Sequence, residues 1–200
     1  MSARDDILAA VQANQPPLDQ PLPQVPRFDD APPPSLLEAF KRSLAEMGGD
    51  CLESDSKDDP LEPIRSGLAA AKVVCSSAPE VPGNRPLAEV KRPADLNDVD
   101  VGVVRAAFAV AETGSVCLTE TTLGVNALGY LPQHLIVLLD PEDIVLNLHH
   151  AYARPELKDC NYAVFHSGPS ATADIEGVLI HGAQGVRSLT VLAAPRRSAH

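Results

Sequence analysis

Tryptophan is absent from this 200-residue chain, and tyrosine and phenylalanine are scarce, at three and four residues. A core of ordinary size must therefore be built from Val, Leu, Ile and Ala, which suits buried parallel strands covered by helices. Hydrophobic residues nevertheless make up 44% of the chain. The composition therefore predicts a folded domain with an aliphatic core.

Clustered metal ligands are also missing. Cys75 and Cys117 lie in aliphatic runs and are expected to be buried as small hydrophobic residues. The adjacent His149 and His150 would point about 100° apart on a helix and could not bind one metal together. No two cysteines are close enough in sequence to clamp zinc or an iron–sulfur cluster. We therefore predict that this chain binds no metal and no cofactor. The cysteines are Cys51, Cys75, Cys117 and Cys160.

Long apolar runs and excess positive charge are lacking as well. No stretch approaches the roughly 20 apolar residues of a membrane span, and the N-terminus has no apolar signal core. These features predict a cytoplasmic protein without a membrane span. The formal net charge is -11, and such a surface repels nucleic-acid phosphates and anionic lipids. Neither nucleic acid nor membrane is therefore expected as a partner.

Residues 1–34 are predicted to form a separate N-terminal region. Ser2 and the acids after it open a short amphipathic helix whose apolar side carries Ile7, Leu8 and Val11. The proline-rich stretch at 16–34 cannot join a helix or a central strand. We expect an extended linker that lets the helix dock on the body or on a partner. The α/β domain is predicted to occupy residues 35–200.

The body alternates helix-like and strand-like segments. Ser35 and Glu38 form a capping box for a helix that ends at Gly48. The segment 105–111 is rich in alanine and is predicted to be a short helix, and Pro141 to open another. This order predicts an α/β fold with a mostly parallel sheet flanked by helices, and ligand sites beyond the carboxyl ends of the strands. A second helix is predicted at 61–71, and strands at 72–77, 98–104, 115–119, 135–139, 162–165 and 189–192.

The loop at 167–176 directly follows a predicted strand and combines glycine, hydroxyl groups and acids. Glycine and hydroxyls in this place can hold an anionic or carboxylate ligand through backbone N–H groups. The alternative is a capped turn whose acids face water. The candidate ligand-binding residues of this loop are Gly168, Ser170, Thr172, Asp174 and Glu176.

Two other segments supply candidate residues. Glu112 precedes Thr113 in an A-E-T-G-S turn between two strand-like segments. Its carboxylate could act as a nucleophile or general base, or could accept backbone N–H bonds that hold the turn. Arg187 follows a glycine-rich stretch and suits bidentate binding of a carboxylate or phosphate, with a plain surface arginine as the alternative. Thr113 and Arg187 therefore join the ligand-binding candidates.

These three segments, in this order, resemble the LUD family of lactate-utilisation proteins, and the chain looks like its small LutC-like members. The family pattern is an A-E-T-G turn, a G-P-S-R-T-A-D-I-E stretch and a G-x-H-G-P-[KR] loop. Residues 168–176 match the middle motif at eight of nine positions. Ala171, Gln184 and Val186 stand where the family has arginine, histidine and proline. The resemblance extends over roughly residues 99–192.

The resemblance implies a fold similar to that of sugar-phosphate isomerases and CoA-transferases. It also implies a non-redox accessory subunit for the oxidation of L-lactate to pyruvate, beside iron–sulfur LutA-like and LutB-like partner subunits that carry the clusters. Two alternatives stay open. One is a free-standing enzyme of the acyl-CoA transferase or sugar-phosphate isomerase type, with Glu112 as its catalytic residue. The other is a non-catalytic protein that binds a small organic acid.

Overall fold

The structure, a computed structural model, describes residues 2–16, 21, 23–56, 58–173, 179–181 and 184–196. The helices are α1 (Ala3–Ala13), α2 (Leu36–Glu46), α3 (Glu62–Ala70), α4 (Glu120–Leu123), α5 (Leu148–Ala151) and α6 (Pro155–Lys158). The strands are β1 (Asp50–Glu53), β2 (Val74–Ser76), β3 (Val101–Arg105), β4 (Phe108–Val110), β5 (Ser115–Thr119), β6 (His134–Leu139), β7 (Ile144–Val145), β8 (Ala163–His166), β9 (Ala171–Ala173), β10 (Leu179–His181) and β11 (Ser188–Ala193). Single 3-10 turns occur at Leu87–Glu89, Pro93–Leu96, Asn126–Gly129 and Pro141–Asp143.

Most strands belong to two sheets. The first sheet has the order β1-β11-β6-β3-β2, and all of its pairings are parallel. The second has the order β7-β4-β5-β8, in which β4 pairs parallel with β7 while β5 runs antiparallel to both β4 and β8. Strands β9 and β10 form a separate antiparallel pair. The predicted α/β fold with a mostly parallel sheet flanked by helices is confirmed.

The three central strands of the first sheet, β3, β6 and β11, are rich in aliphatic residues and largely buried. On one face Val137 belongs to the same core cluster as Phe40 of α2. On the other face Ile136 joins a second cluster with Ile64 of α3. Such two-sided burial is typical of parallel sheets. Cys75 and Cys117 are fully buried, as their aliphatic surroundings predict.

Two helix predictions were wrong. The alanine-rich segment at 105–111 contains the strand β4, whose residues Phe108–Val110 are fully buried between β5 and β7. Pairing with two neighbouring strands outweighs the weak helix preference of alanine. Pro141 opens only one 3-10 turn, Pro141–Asp143, which leads directly into β7. Strands β1, β7, β9 and β10 were not predicted, because none of these short segments belongs to a longer run of β-branched and aliphatic residues.

The N-terminal helix has the predicted cap but makes no buried contact. The Ser2 hydroxyl accepts the backbone N–H of Asp5 at 3.3 Å. No residue of α1 is buried, and Ile7 is 64% exposed. Docking of α1 on a partner, and the boundary between residues 34 and 35, stay predictions. Of the helices within the described residues, none combines the length and apolar character that crossing a bilayer requires.

Candidate functional site

Three strands of the second sheet end at the same edge. Strand β7 is parallel to β4, and β8 runs in the direction of β4 because β5 is antiparallel to both. We refer to the residues at and directly after these carboxyl ends as the motif edge, which comprises residues 111–115, 146–148 and 166–170. Two of the segments singled out in the sequence therefore meet where ligand sites are common in α/β proteins.

Hydrogen bonds join the motif edge to the loop before β11. The Ser167 hydroxyl donates to the carbonyl oxygen of Thr113 at 2.7 Å. The Ser170 backbone N–H donates to the carbonyl oxygen of Val186 at 2.9 Å. The Thr113 hydroxyl is itself bonded to that of Ser115 at 2.7 Å. Segments that are more than 50 residues apart in sequence thus form one continuous strip.

Helix α2 packs closely against the two glycines of the motif edge. Gly114 and Gly168 have positive φ angles of 60° and 78°, a region that favours glycine. A Cβ atom on Gly114 would lie 2.2 Å from the backbone nitrogen of Leu44, and one on Gly168 would lie 2.1 Å from the carbonyl oxygen of Met47. These glycines are therefore required for the close approach of the edge to α2.

Glu112 holds a turn. Its Oε2 accepts the backbone N–H of Leu148, the first residue of α5, at 3.1 Å. Its own N–H donates to the carbonyl oxygen of Leu146 at 3.1 Å. This is the structural alternative that the sequence left open for Glu112. A carboxylate offers about four acceptor positions, so the bond to Leu148 leaves it able to accept from a ligand as well.

Glu112 also lines a groove of about 320 Å³. Helix α2 contributes Arg42 and Ser43 to this groove, and Phe28 and Pro33 of the proline-rich segment form another wall. The sequence did not single out Arg42, because no local motif surrounds it. Its proximity to Glu112 depends on the packing of α2 against the motif edge. The groove therefore carries side chains of opposite charge.

Arg187 lies in a different place from Glu112. It immediately precedes β11, so it stands at the amino edge of the first sheet, and its side chain is exposed. It lines a separate groove of about 630 Å³ with Lys72, His134 and Ser188. We expected ligand sites beyond the carboxyl ends of strands. Arg187 does not lie at such an end, because its loop leads into a strand.

The remaining candidates are Thr172, Asp174 and Glu176. Thr172 is partly buried in β9 and is paired with Ile180 of β10. Asp174 and Glu176 lie outside the described residues. Val186, at the position of the family's proline, is 3% exposed and belongs to the main core. Of the other two replaced positions, Ala171 begins β9, and both Ala171 and Gln184 are exposed.

His166 is a further polar residue of the motif edge that the sequence did not single out. Its Nε2 is buried and has no hydrogen-bond partner among the described residues. The Tyr130 ring lies 5.2 Å from the imidazole, centroid to centroid, and its hydroxyl is bonded to that of Tyr162. Burial lowers the pKa of His166, so its imidazole is neutral in the folded protein near pH 7.

We expect His166 to make the protein less stable in mild acid. Because burial lowers the pKa of His166 below its ordinary value of 6.5, the unfolded chain takes up a proton at a higher pH than the folded chain. The contribution of this group is therefore constant above pH 6.5 and destabilising as the pH falls below it. Urea unfolding of the wild type and His166→Gln at pH 7.5, 6.5 and 5.5 checks this, and equal losses in both would contradict it.

Two of the cysteines, Cys51 and Cys117, are poor metal ligands in this fold. Burial raises the pKa of Cys51 to about 11 and that of Cys117 to about 12. A thiolate is the form that binds metals, so these side chains are held in the unreactive state. Among the described residues, no group of three or more His, Cys, Asp or Glu side chains is arranged to hold a metal ion.

Comparisons with known proteins identify relatives of this chain. The LUD domain family matches residues 84–193, which is more than half of the chain. An uncharacterised protein of Neisseria meningitidis serogroup B is 30% identical over 101 residues, covering 49% of this chain but only 43% of that protein. The crystal structure of a DUF162 family protein from Deinococcus radiodurans is similar, with a TM-score of 0.60 and 18% identity over 79% of this chain and 95% of the other. That likeness concerns the fold.

Proposed function

The chain belongs to the LUD domain family, and on that premise we propose that it is a cluster-free, LutC-like subunit of an L-lactate oxidation system. In this role it holds no redox centre. Iron–sulfur partner subunits take up the two electrons that leave L-lactate as pyruvate forms. The motif edge is the surface that contacts the small organic acid or a partner subunit, and the complex works in the cytoplasm.

One observation carries this proposal. The segments that resemble the family are joined in space, through the bond from Ser167 to Thr113 and the bond from Ser170 to Val186. Loops that gather at the ends of strands are where α/β proteins place their binding residues. The match therefore concerns an assembled surface, and it supports a shared role more strongly than scattered matches would.

Two details favour an accessory subunit over a free-standing enzyme. The carboxylate of Glu112 already accepts a backbone N–H, which suits a residue that positions a turn. The raised pKa values of Cys51 and Cys117 fit a chain whose partners hold the clusters. Incubation with a panel of acyl-CoA thioesters, followed by intact mass measurement, tests the enzyme alternative. A covalent adduct on Glu112 would contradict the accessory role.

Deletion of the coding sequence tests the proposed function directly. We expect the deletion strain to lose growth on L-lactate as sole carbon source and to keep growth on pyruvate, because only the oxidation step is removed. Complementation with the wild-type chain, or with the surface variant Gly67→Ala, should restore growth. Unchanged growth of the deletion strain on L-lactate would overturn the proposal, as would turnover of L-lactate by the purified chain alone.

A further inference from the structure

A short segment of the proline-rich region is fixed against the body. We refer to residues 27–33 as the strap. The side-chain amide of Asn147 donates to the carbonyl oxygens of Arg27 at 2.7 Å and Phe28 at 3.2 Å. Asn147 is only 5% exposed, and a buried amide is held firmly to its partners because losing them is costly. The strap is therefore anchored at two successive residues.

Further contacts hold the strap beside the same anchor. The Phe28 ring lies 4.9 Å from the ring of His149, centroid to centroid. The Asp29 carboxylate lies 3.6 Å from Nε2 of His150, which is bonded to Asn147 through Nδ1 at 2.9 Å. Phe28 has a φ angle of 53°, a conformation that costs a non-glycine residue energy and persists only where surrounding contacts impose it.

The strap forms one wall of the groove that contains Glu112. Phe28, Ala31 and Pro33 of the strap face a wall that includes Arg42 and Glu112. The groove volume of about 320 Å³ is that of roughly ten water molecules. It has room for an acid of a few carbon atoms. Arg42 and Glu112 are both exposed, so a ligand can reach their charged groups from solvent.

The two charges select a particular kind of molecule. None of the ion pairs among the described residues uses Arg42 or Glu112. A guanidinium binds a carboxylate through two parallel N–H bonds. The Glu112 carboxylate only accepts hydrogen bonds, so it requires a donor on the ligand and repels a second negative charge. A monocarboxylate with an adjacent O–H or N–H donor satisfies both residues.

We propose that this groove binds a small 2-hydroxycarboxylic acid, with its carboxylate on Arg42 and its hydroxyl donating to Glu112. The inference deepens the proposed function and rests on it only for the choice of a hydroxyl over an amino group as the donor. The hydroxyl and carboxylate of such an acid are on neighbouring carbon atoms. Phe28 and Pro33 of the strap line the same groove and offer apolar contact to the carbon chain of the ligand.

Calorimetric titration of the purified full chain tests the site. L-lactate should bind the wild type, and Arg42→Gln should weaken its binding at least tenfold because the carboxylate partner is lost. Arg4→Gln removes the same charge from the exposed helix α1 and should leave binding unchanged. Pyruvate lacks the hydroxyl donor and should bind several-fold more weakly than L-lactate. Absence of lactate binding, or equal binding by wild type and Arg42→Gln, would overturn the proposal.

Two more outcomes distinguish this site from its alternatives. Tighter binding of L-alanine than of L-lactate would show that the groove takes an ammonium donor and would overturn the hydroxy-acid assignment. Lactate binding that is lost in Arg187→Gln but kept in Arg42→Gln would move the site to the other groove and also overturn it. A deletion strain that fails on L-lactate, together with a purified chain that binds none, would leave the proposed function standing and refute only this site.

Discussion

Gly168→Ala is expected to destabilise the folded protein by about 3 kcal/mol, from the combined costs of overpacking and a left-handed backbone. The added Cβ would lie 2.1 Å from the carbonyl oxygen of Met47, a backbone atom that cannot rotate away. Relief requires α2 to move from the motif edge. The midpoint of urea unfolding, followed by circular dichroism, measures the loss.

Two other glycines separate the causes of this effect. Gly124 has a φ angle of 68° but its nearest described neighbour would be 3.8 Å from a Cβ atom, so Gly124→Ala reports the backbone cost alone, about 1–2 kcal/mol. Gly67 lies in α3, with no described atom within 4 Å of such a Cβ, and Gly67→Ala should be neutral or stabilising by up to about 1 kcal/mol. If Gly168→Ala cost no more than Gly124→Ala, the tight contact with Met47 would be refuted.

Arg105→Met should cost about 3 kcal/mol, the range for breaking a buried ion pair. Arg105 ends β3 and donates to Glu80 at 2.8 Å and to the carbonyl oxygen of Ala194 at 2.9 Å. Its side chain is 11% exposed and that of Glu80 is 23% exposed. The substitution leaves the Glu80 charge without its partner in a site where its Oε2 already lacks a hydrogen bond among the described residues.

A double variant shows whether the cost comes from the stranded charge. Arg105→Met combined with Glu80→Met should recover most of the lost stability, because no uncompensated charge stays buried. Arg92→Met removes the ion pair with Asp95, in which Arg92 is 78% exposed, and should change the urea midpoint little. A double variant as unstable as Arg105→Met alone would contradict this account.

The Arg105 pair also bears on where a ligand can bind. It sits at the carboxyl edge of the first sheet, where doubly wound proteins commonly bind their ligands. The ion pair links the end of β3 to Glu80 in the segment after β2, and the bond to Ala194 links it to the end of β11. The groove with Glu112 instead lies at the carboxyl edge of the second sheet. Under our proposal, the general rule therefore applies to the smaller sheet.

Much of the fold was predictable because the central strands of the first sheet, β3, β6 and β11, are rich in aliphatic residues. The run at 135–139 could be identified from composition, since few other structures bury five successive aliphatic residues. The segment at 108–110 could not, because its three residues become a strand only by pairing with β5 and β7. The two-residue strand β7 has too little sequence to carry a pattern at all.

The sequence predicted the loops of the candidate site better than it predicted the full set of residues around them. The motifs predicted the loop at 167–176 and the turn at Glu112. The described part of that loop contacts the turn through the bond from Ser167 to Thr113. Arg42 and Asn147 could not be recognised, because their importance comes from contacts across the fold. Asn147 is 120 residues from its partner Arg27. A local sequence pattern carries no information about a contact between residues so far apart. Only the packing of α2 and of the strap in the folded protein brings these residues to the site.

The position of β11 has a consequence for how the protein is made. This strand lies between β1 and β6, yet it follows every other strand in the order of synthesis. While the ribosome is still translating residues 188–193, β1 and β6 each have an unpaired edge, and parallel pairing over such sequence separations is slow. We therefore expect the nascent chain to be prone to aggregation until β11 inserts, and chaperones to raise the yield of folded protein.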